Sequence, residues 1–163
     1  MIKDSKSAES LAKILSEALP YIQKFSGKIV VIKYGGSAMR ENKLRQNFAR
    51  DIALMRQIGI FPVLVHGGGP QIERNLKKNN IKSVFIDGLR KTDENSIKTI
   101  VKTLREVNGD IAELIKTWGA RTKTFNDVRE SILICKKIKT KMDLGFVGDI
   151  TKVDGSLIKK NIF

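Results

Sequence analysis

Two short apolar runs, each ending in glycines and each followed by a helix-like segment, constrain this chain more than any other feature. Lys28-Ile-Val-Val-Ile-Lys-Tyr34 is largely β-branched and runs into Gly35-Gly36, while Ile60-Phe-Pro-Val-Leu-Val65 runs into His66-Gly67-Gly68-Gly69-Pro70. β-branched residues fit a pleated, packed surface, and runs this short suit strands buried on both faces. Between the two, Leu44, Phe48, Ile52 and Met55 recur at helical spacing within a segment from Glu41 to about Ile58. Pro70 suits the first turn of a further helix reaching about Asn79, because its missing N–H costs nothing there. The β-loop-α-β-loop-α order predicts an α/β fold with a mostly parallel sheet and right-handed crossovers. Ligands of such sheets gather at the carboxyl ends of the strands, where both glycine runs fall.

The flanking segments are less patterned. Ser7 is an N-cap candidate, and Leu11, Ile14, Leu15, Ala18, Ile22 and Phe25 follow at helical spacing, with Pro20 expected to kink or divide the amphipathic element. A long helix is predicted from Thr92 or Asp93 to about Trp118. Beyond it only short strand candidates stand out, near Ser131 to Cys135 and Gly145 to Val147. No repeat or linker divides the chain, and 163 residues suit one ordinary domain or one large lobe. A lone Cys135 excludes an internal disulfide and reads as a small core residue. With His66 the only histidine, no His/Cys zinc cluster is available. Neither a membrane span nor the apolar core of a signal peptide is present, so a cytoplasmic location is expected.

Lysine and arginine number 31 against 17 acidic residues, a formal charge of +14 that attracts nucleic acid, anionic membranes or phosphorylated substrates alike. The basic residues are spread along the chain, and aromatics, at 6%, do not interleave with them as base-stacking platforms would. A solvated lysine-rich surface is therefore favoured over a nucleic-acid site.

Three stretches carry candidate chemistry. Lys33 interrupts an apolar strand near its carboxyl end and is followed at once by two glycines that let a phosphate-bearing ligand approach the backbone. A lysine snorkelling from a strand end is the plainer alternative, but it leaves the glycine pair unexplained. In His66-Gly67-Gly68-Gly69-Pro70, successive N–H groups and a helix start can hold anionic oxygens. That stretch is not a Walker A loop, since no Gly-Lys-Ser/Thr follows. Nor is it a dinucleotide fingerprint, since Ile72 stands where the last glycine belongs. A tight packing turn is its alternative, and His66 reads as structural. Asp87-Gly88-Leu89-Arg90 reads as a turn presenting a guanidinium fork suited to a carboxylate, although an isolated arginine of this kind is common on surfaces.

Taken together, Lys33-Tyr-Gly-Gly-Ser-Ala-Met39, Val65-His-Gly-Gly-Gly-Pro-Gln-Ile72, Phe85-Ile-Asp-Gly-Leu-Arg90 with Thr92-Asp93, and Asp143-Leu-Gly-Phe-Val-Gly148 resemble, in order and spacing, the acetylglutamate kinase branch of the amino acid kinase family. The resemblance runs from about Leu15 to the end of the chain. It implies an open, mostly parallel sheet between helix layers and transfer of the γ-phosphoryl group of ATP, with Mg2+, to the side-chain carboxylate of N-acetyl-L-glutamate in arginine biosynthesis. Lys33 matches the catalytic lysine that stabilises the transferring group. Gly35 and Gly36, with Gly67, match the phosphate-side glycines. Gly68 and Gly69 match backbone contacts to substrate, and Arg90 matches the residue gripping its α-carboxylate. The resemblance divides the chain into an N-terminal helical extension, residues 1–26, and an N-acetylglutamate-binding lobe, residues 27–163, with the C-terminal nucleotide lobe missing. No metal-binding residue is implied.

Lys91 interrupts the family's Gly-Leu-Arg-Val-Thr-Asp, Arg105 falls where a glycine is expected, and Lys123-Thr-Phe-Asn-Asp127 replaces a Gly-Leu-Ser-Gly-Lys-Asp. The helical extension resembles that of hexameric, arginine-inhibited members, and its pattern alone fits equally well a helix that merely covers the sheet. A homo-oligomer, or association with a C-terminal-half partner through this helix or the open sheet, is expected. Two other functions stay open: a non-catalytic regulatory lobe attached to a kinase subunit, and a basic protein binding nucleic acid.

Overall fold

In the computed structural model, residues 5–126 and 130–162 are described, so Asp127 lies outside the described residues. Helix α1 (Ser5–Phe25) leads into strand β1 (Ile29–Tyr34), a 3-10 turn over Gly36–Met39, and helix α2 (Asn42–Gln57). Strand β2 (Phe61–His66), helix α3 (Gly69–Lys78), a hairpin of β3 (Val84–Ile86) and β4 (Leu89–Lys91), and the long helix α4 (Glu94–Lys116) follow. A second hairpin of β5 (Leu133–Lys137) and β6 (Gly148–Val153) precedes the short helix α5 (Ser156–Ile162).

The predicted parallel pair is present: β1 and β2 align from Ile29 opposite Phe61 to Tyr34 opposite His66. The two hairpins are antiparallel, each a separate two-stranded sheet. Side chains alternate across a strand, so β1 presents Ile32 and Tyr34 to one side and Ile29, Val31 and Lys33 to the other. The first side is the core. There Tyr34 packs with Ala49, Ile52 and Ala53 of α2 and with Val107, Ile111 and Ile115 of α4, while Leu64 of β2 closes the cluster. Burying each isoleucine contributes about 1.5–3 kcal/mol relative to exposure.

The second side departs from the expectation of strands buried on both faces: Val31 is 67% and Val65 54% exposed. A β-branched run specifies a strand, but not how many of its faces the same chain covers.

Helix α4 starts where Asp93 accepts a hydrogen bond from the Ser96 N–H at 2.7 Å, an N-cap that the Thr-Asp pair anticipated. Its buried stripe is not wholly apolar. Thr103, almost fully buried, accepts from Asn75 Nδ2 at 2.9 Å and donates to the Thr99 carbonyl, pinning α3 to α4.

The segment Asp143–Gly148 acts as a latch. Thr92 N–H donates to the Leu144 carbonyl and Phe146 N–H to the Thr92 carbonyl, at 2.8 and 2.7 Å, which seats Leu144 in the interior. Gly145 is required there. Its φ is +74°, and a Cβ would lie 2.1 Å from the Thr92 oxygen. Asp143 accepts from the Gly145 N–H and pairs with Lys137 at 2.8 Å.

Elsewhere the chain differs from expectation in three places. Ser7 lies inside α1 rather than at its cap, and the strand candidate near Gly145 to Val147 falls in the latch, with β6 beginning at Gly148; α1 itself is one helix that includes Pro20. Its Ile14, Leu15 and Leu19 are all at least half exposed. Cys135 is exposed rather than a core residue, because every residue of β5 is open to solvent. Among the described residues no helix is long and apolar enough to cross a membrane.

Candidate functional site

The two glycine runs meet. Parallel pairing sets Tyr34 beside His66, and the Gly67 N–H donates to the Tyr34 carbonyl at 3.1 Å, so the turns leaving β1 and β2 lie side by side at the carboxyl ends of the strands. Gly36, with φ +65°, turns the chain into the 3-10 segment, whose Ala38 carbonyl accepts from the Tyr34 hydroxyl at 3.0 Å. The Tyr34 ring stacks on Phe48 with centroids 3.8 Å apart. Burial raises the Tyr34 phenol above its usual pKa, and Arg45 pulls partly the other way.

The glycines divide by what surrounds them. A Cβ on Gly68 would meet Leu104 Cδ2 at 2.8 Å, so that residue is a packing glycine between α3 and α4. At Gly35, Gly67 and Gly69 an added Cβ would have nothing within 4 Å, and none of the three has a left-handed backbone. Neither packing nor conformation within the described residues calls for glycine at these three positions. The tight-turn alternative therefore accounts for Gly36 and Gly68 but not for the other three.

Lys33 stands on the exposed face of β1, opposite Val65. Among the described residues its ammonium has no ion-pair or hydrogen-bond partner. His66 is held from two sides: Asn108 Nδ2 lies 3.0 Å from Nε2, and the Gly67 carbonyl lies 3.0 Å from Nδ1. With the amide donating, the imidazole accepts at Nε2 and donates at Nδ1, and so ties the glycine turn to α4. That is the structural part the sequence suggested for it.

Arg90 is a strand residue of β4 rather than part of the turn. Asp87 and Gly88, both with positive φ, form the two-residue connection of the β3–β4 hairpin, and Arg90 pairs with Phe85. Its guanidinium lies 4.5 Å from the Phe85 ring centre, and its side chain is 15% exposed. Nη1 donates to Glu73 Oε2 at 3.0 Å and to the Ser83 hydroxyl, which itself donates to Glu73 at 2.8 Å. The Ser83 hydrogen bond, then Arg90, hold the Glu73 carboxyl below its ordinary pKa. This clamp locks the arginine while occupying only one corner of its five-donor fork.

Glu73, Ser83 and Asn108 do not stand out in the sequence. Asn108 carries a weak signal, a polar residue beside the apolar stripe of α4. Glu73 and Ser83 lie 17 and 7 residues from Arg90, with no periodicity to link them. Two departures from the family pattern meet each other: Arg105 donates to the Asn126 carbonyl at 3.4 Å, within the segment where Lys123 pairs with Glu130 at 2.7 Å.

The strand ends carry a lysine and exposed glycine backbone, a set suited to an anion, with the Gly67 N–H already given to the Tyr34 carbonyl. Among the described residues no three His, Cys, Asp or Glu side chains gather to hold a metal ion.

The fold and its strand-end turns define an α/β protein with open glycine loops at the carboxyl ends of parallel strands. Residues 28–161 match the amino acid kinase family, and the chain belongs to it. It is 45% identical over 152 residues to the acetylglutamate kinase of Clostridium beijerinckii, covering 93% of this chain and 53% of that protein. It is 43% identical over 171 residues to the acetylglutamate kinase of Stutzerimonas stutzeri, covering 98% and 57%. The chain thus spans about half the length of the curated relatives it matches. The N-acetylglutamate synthase of Neisseria gonorrhoeae, solved with coenzyme A and N-acetyl-glutamate, shares the fold with a TM-score of 0.74 at 23% identity, over 91% of this chain and 34% of that one.

Proposed function

We propose that this chain is the substrate lobe of an acetylglutamate kinase, a cytoplasmic enzyme of arginine biosynthesis that moves the γ-phosphoryl group of ATP to the side-chain carboxylate of N-acetyl-L-glutamate. The observation that carries the reading is the pair of adjoining turns whose Gly35, Gly67 and Gly69 have no packing neighbour, beside a Lys33 ammonium without a partner among the described residues. The identity to acetylglutamate kinases over most of this chain supports the choice of acceptor.

In this reading Lys33 offsets charge that builds on the transferring phosphoryl oxygens, and the N–H groups of Gly35 and Gly36 do the same from the backbone, while Gly67, whose N–H is bonded to the Tyr34 carbonyl, serves by leaving the turn open to the phosphates. Phosphoryl transfer asks little of a protein beyond positioning and such charge stabilisation. Gly68 and Gly69 hold the acceptor through the backbone, and the unoccupied part of the Arg90 fork grips its α-carboxylate. Magnesium bound with ATP would supply charge neutralisation on the phosphate oxygens, and no residue of this lobe is assigned to hold it. Residues 27–163 form this lobe, residues 1–26 an extension, and the remaining nucleotide contacts come from a second lobe of the kind the full-length relatives carry.

Calorimetric titration with N-acetyl-L-glutamate, using L-glutamate as the control, tests the reading. Saturable heat that requires the acetyl group is expected. Arg90→Ala should weaken it by roughly 1.5–3 kcal/mol, the worth of a charge-assisted contact, in a chain that still folds. Unchanged affinity in that variant would sink the assignment of Arg90.

A second reading, a regulatory lobe that associates with a kinase half or another copy of itself, is supported by the exposed apolar residues of α1 and of the open sheet face. A strictly monomeric species on sedimentation, alone and with a full-length relative, would remove it.

A further inference from the structure

A groove of about 510 Å³ opens on the core side of β1, walled by α2, α3 and α4. It is separate from Lys33. Tyr34 lines it, and consecutive strand residues point to opposite faces, so the lysine looks away from it. Three arginines reach the groove from three parts of the chain: Arg40 after the 3-10 turn, Arg45 of α2 and Arg74 of α3. Among the described residues none of these guanidinium groups has an ion-pair or hydrogen-bond partner. By contrast Arg50, Arg90 and Arg105 each have an acceptor.

Three like charges around one space repel, and the single carboxylate on the wall, Asp110, balances only one of them. An anion that enters removes that repulsion. Arginine forks favour the planar spacing of phosphate oxygens, and two uncompensated positive charges match a dianion better than a lone carboxylate. The groove is also far larger than a bare phosphate needs, and Met39, Val107 and Ile111 give it an apolar wall. Gln71 also lines the groove, and its Oε1 is buried with no hydrogen-bond donor among the described residues, so a ligand donor that reached it would satisfy it.

We propose that this groove binds a small phosphomonoester, with its phosphate among Arg40, Arg45 and Arg74, its carbon skeleton on the apolar wall, and a hydroxyl or N–H donating to Gln71. It would be a second site beside the proposed acceptor site: Tyr34 precedes Gly35, and Pro70 and Gln71 of its lining follow Gly69, but it lies on the other face of β1 from Lys33.

Calorimetry on the full chain with glycerol phosphate, inorganic phosphate and acetate at matched ionic strength tests it. The ester should bind saturably at one per chain, inorganic phosphate more weakly, and acetate not at all. Arg74→Gln and Arg45→Gln should each weaken the ester at least about tenfold, with circular dichroism reporting their folding. Arg74 is exposed, so its variant retains a folded chain even where that of Arg45 does not. The double variant Lys159→Gln/Lys160→Gln removes more charge from α5 and should leave binding unchanged. Absence of saturation, equal weakening in the α5 variant, or displacement of the ester by N-acetyl-L-glutamate would each overturn the proposal. Ester binding that persists in a chain unable to bind N-acetyl-L-glutamate would support the groove while removing the kinase reading.

Discussion

The Thr92–Gly145 latch and the turns leaving β1 and β2 are both glycine-rich, yet the glycine does opposite work in each. At the latch, two chain segments are pressed together so closely that no side chain fits, and the backbone turns left-handed as well. At the strand ends, Gly35, Gly67 and Gly69 leave space that nothing among the described residues fills. The first glycine is a condition of folding, and the other three keep a surface accessible. Glycines that look alike in a sequence thus separate into those a fold consumes and those it leaves for something else.

The contrast can be tested by adding one methyl group at a time. Gly145→Ala should cost more than about 2 kcal/mol in denaturant unfolding, because a clash with a backbone oxygen is added to a disfavoured φ. A loss below about 1 kcal/mol would mean that the latch yields easily. Gly68→Ala should cost about 1 kcal/mol, since the obstacle is the far end of the flexible Leu104 side chain. Gly69→Ala opens α3 with a better helix former and should leave stability within about 1 kcal/mol of wild type, or raise it; under the proposed function, N-acetyl-L-glutamate affinity falls at least about tenfold. Destabilisation by Gly69→Ala comparable to that of Gly145→Ala would erase the distinction.

Acid provides the mildest probe. The Lys137 side chain first, then the Gly145 N–H, hold the Asp143 carboxyl below its ordinary pKa. A lowered pKa in the fold means that the charged form stabilises it. That contribution is present above the ordinary carboxylate pKa and is lost as pH falls through the lowered value. The latch should therefore weaken on acidification, and Asp143→Asn should flatten the acid limb of the stability curve. An unaltered limb would show that the pair with Lys137 contributes nothing, as exposed pairs often do.

How much of this was legible depended on whether the cause was local. The strand pair, α2, α3 and the start of α4 were readable because periodicity, β-branching and an Asp cap act over a few residues. The position of the glycine turns followed from strand direction alone. The open face of β1, the exposure of Cys135 and the strand placement of Arg90 were not readable. Each depends on which distant element arrives to cover a residue, and three-residue strands such as β3 and β4 are too short to announce themselves by alternation. The clamp on Arg90 was hidden for the same reason: Glu73 and Ser83 become its neighbours only after α3 and the hairpin pack. The arginine groove is a sharper case, because Arg40, Arg45 and Arg74 read as ordinary surface cations until three elements bring them around one space.

Tyr34 ends β1 with its ring held against Phe48 and its hydroxyl bonded across the turn to Ala38. These two contacts close a loop around Gly35 and Gly36, the residues with the greatest backbone freedom in the segment. Much of the ordering entropy of that turn is thereby spent during folding, which leaves less to be lost in the binding proposed for it. Tyr34→Phe keeps the stack and releases the tether, so it separates rigidity from shape. The turn would keep its outline yet hold a ligand less tightly, with the loss appearing in the entropy of binding.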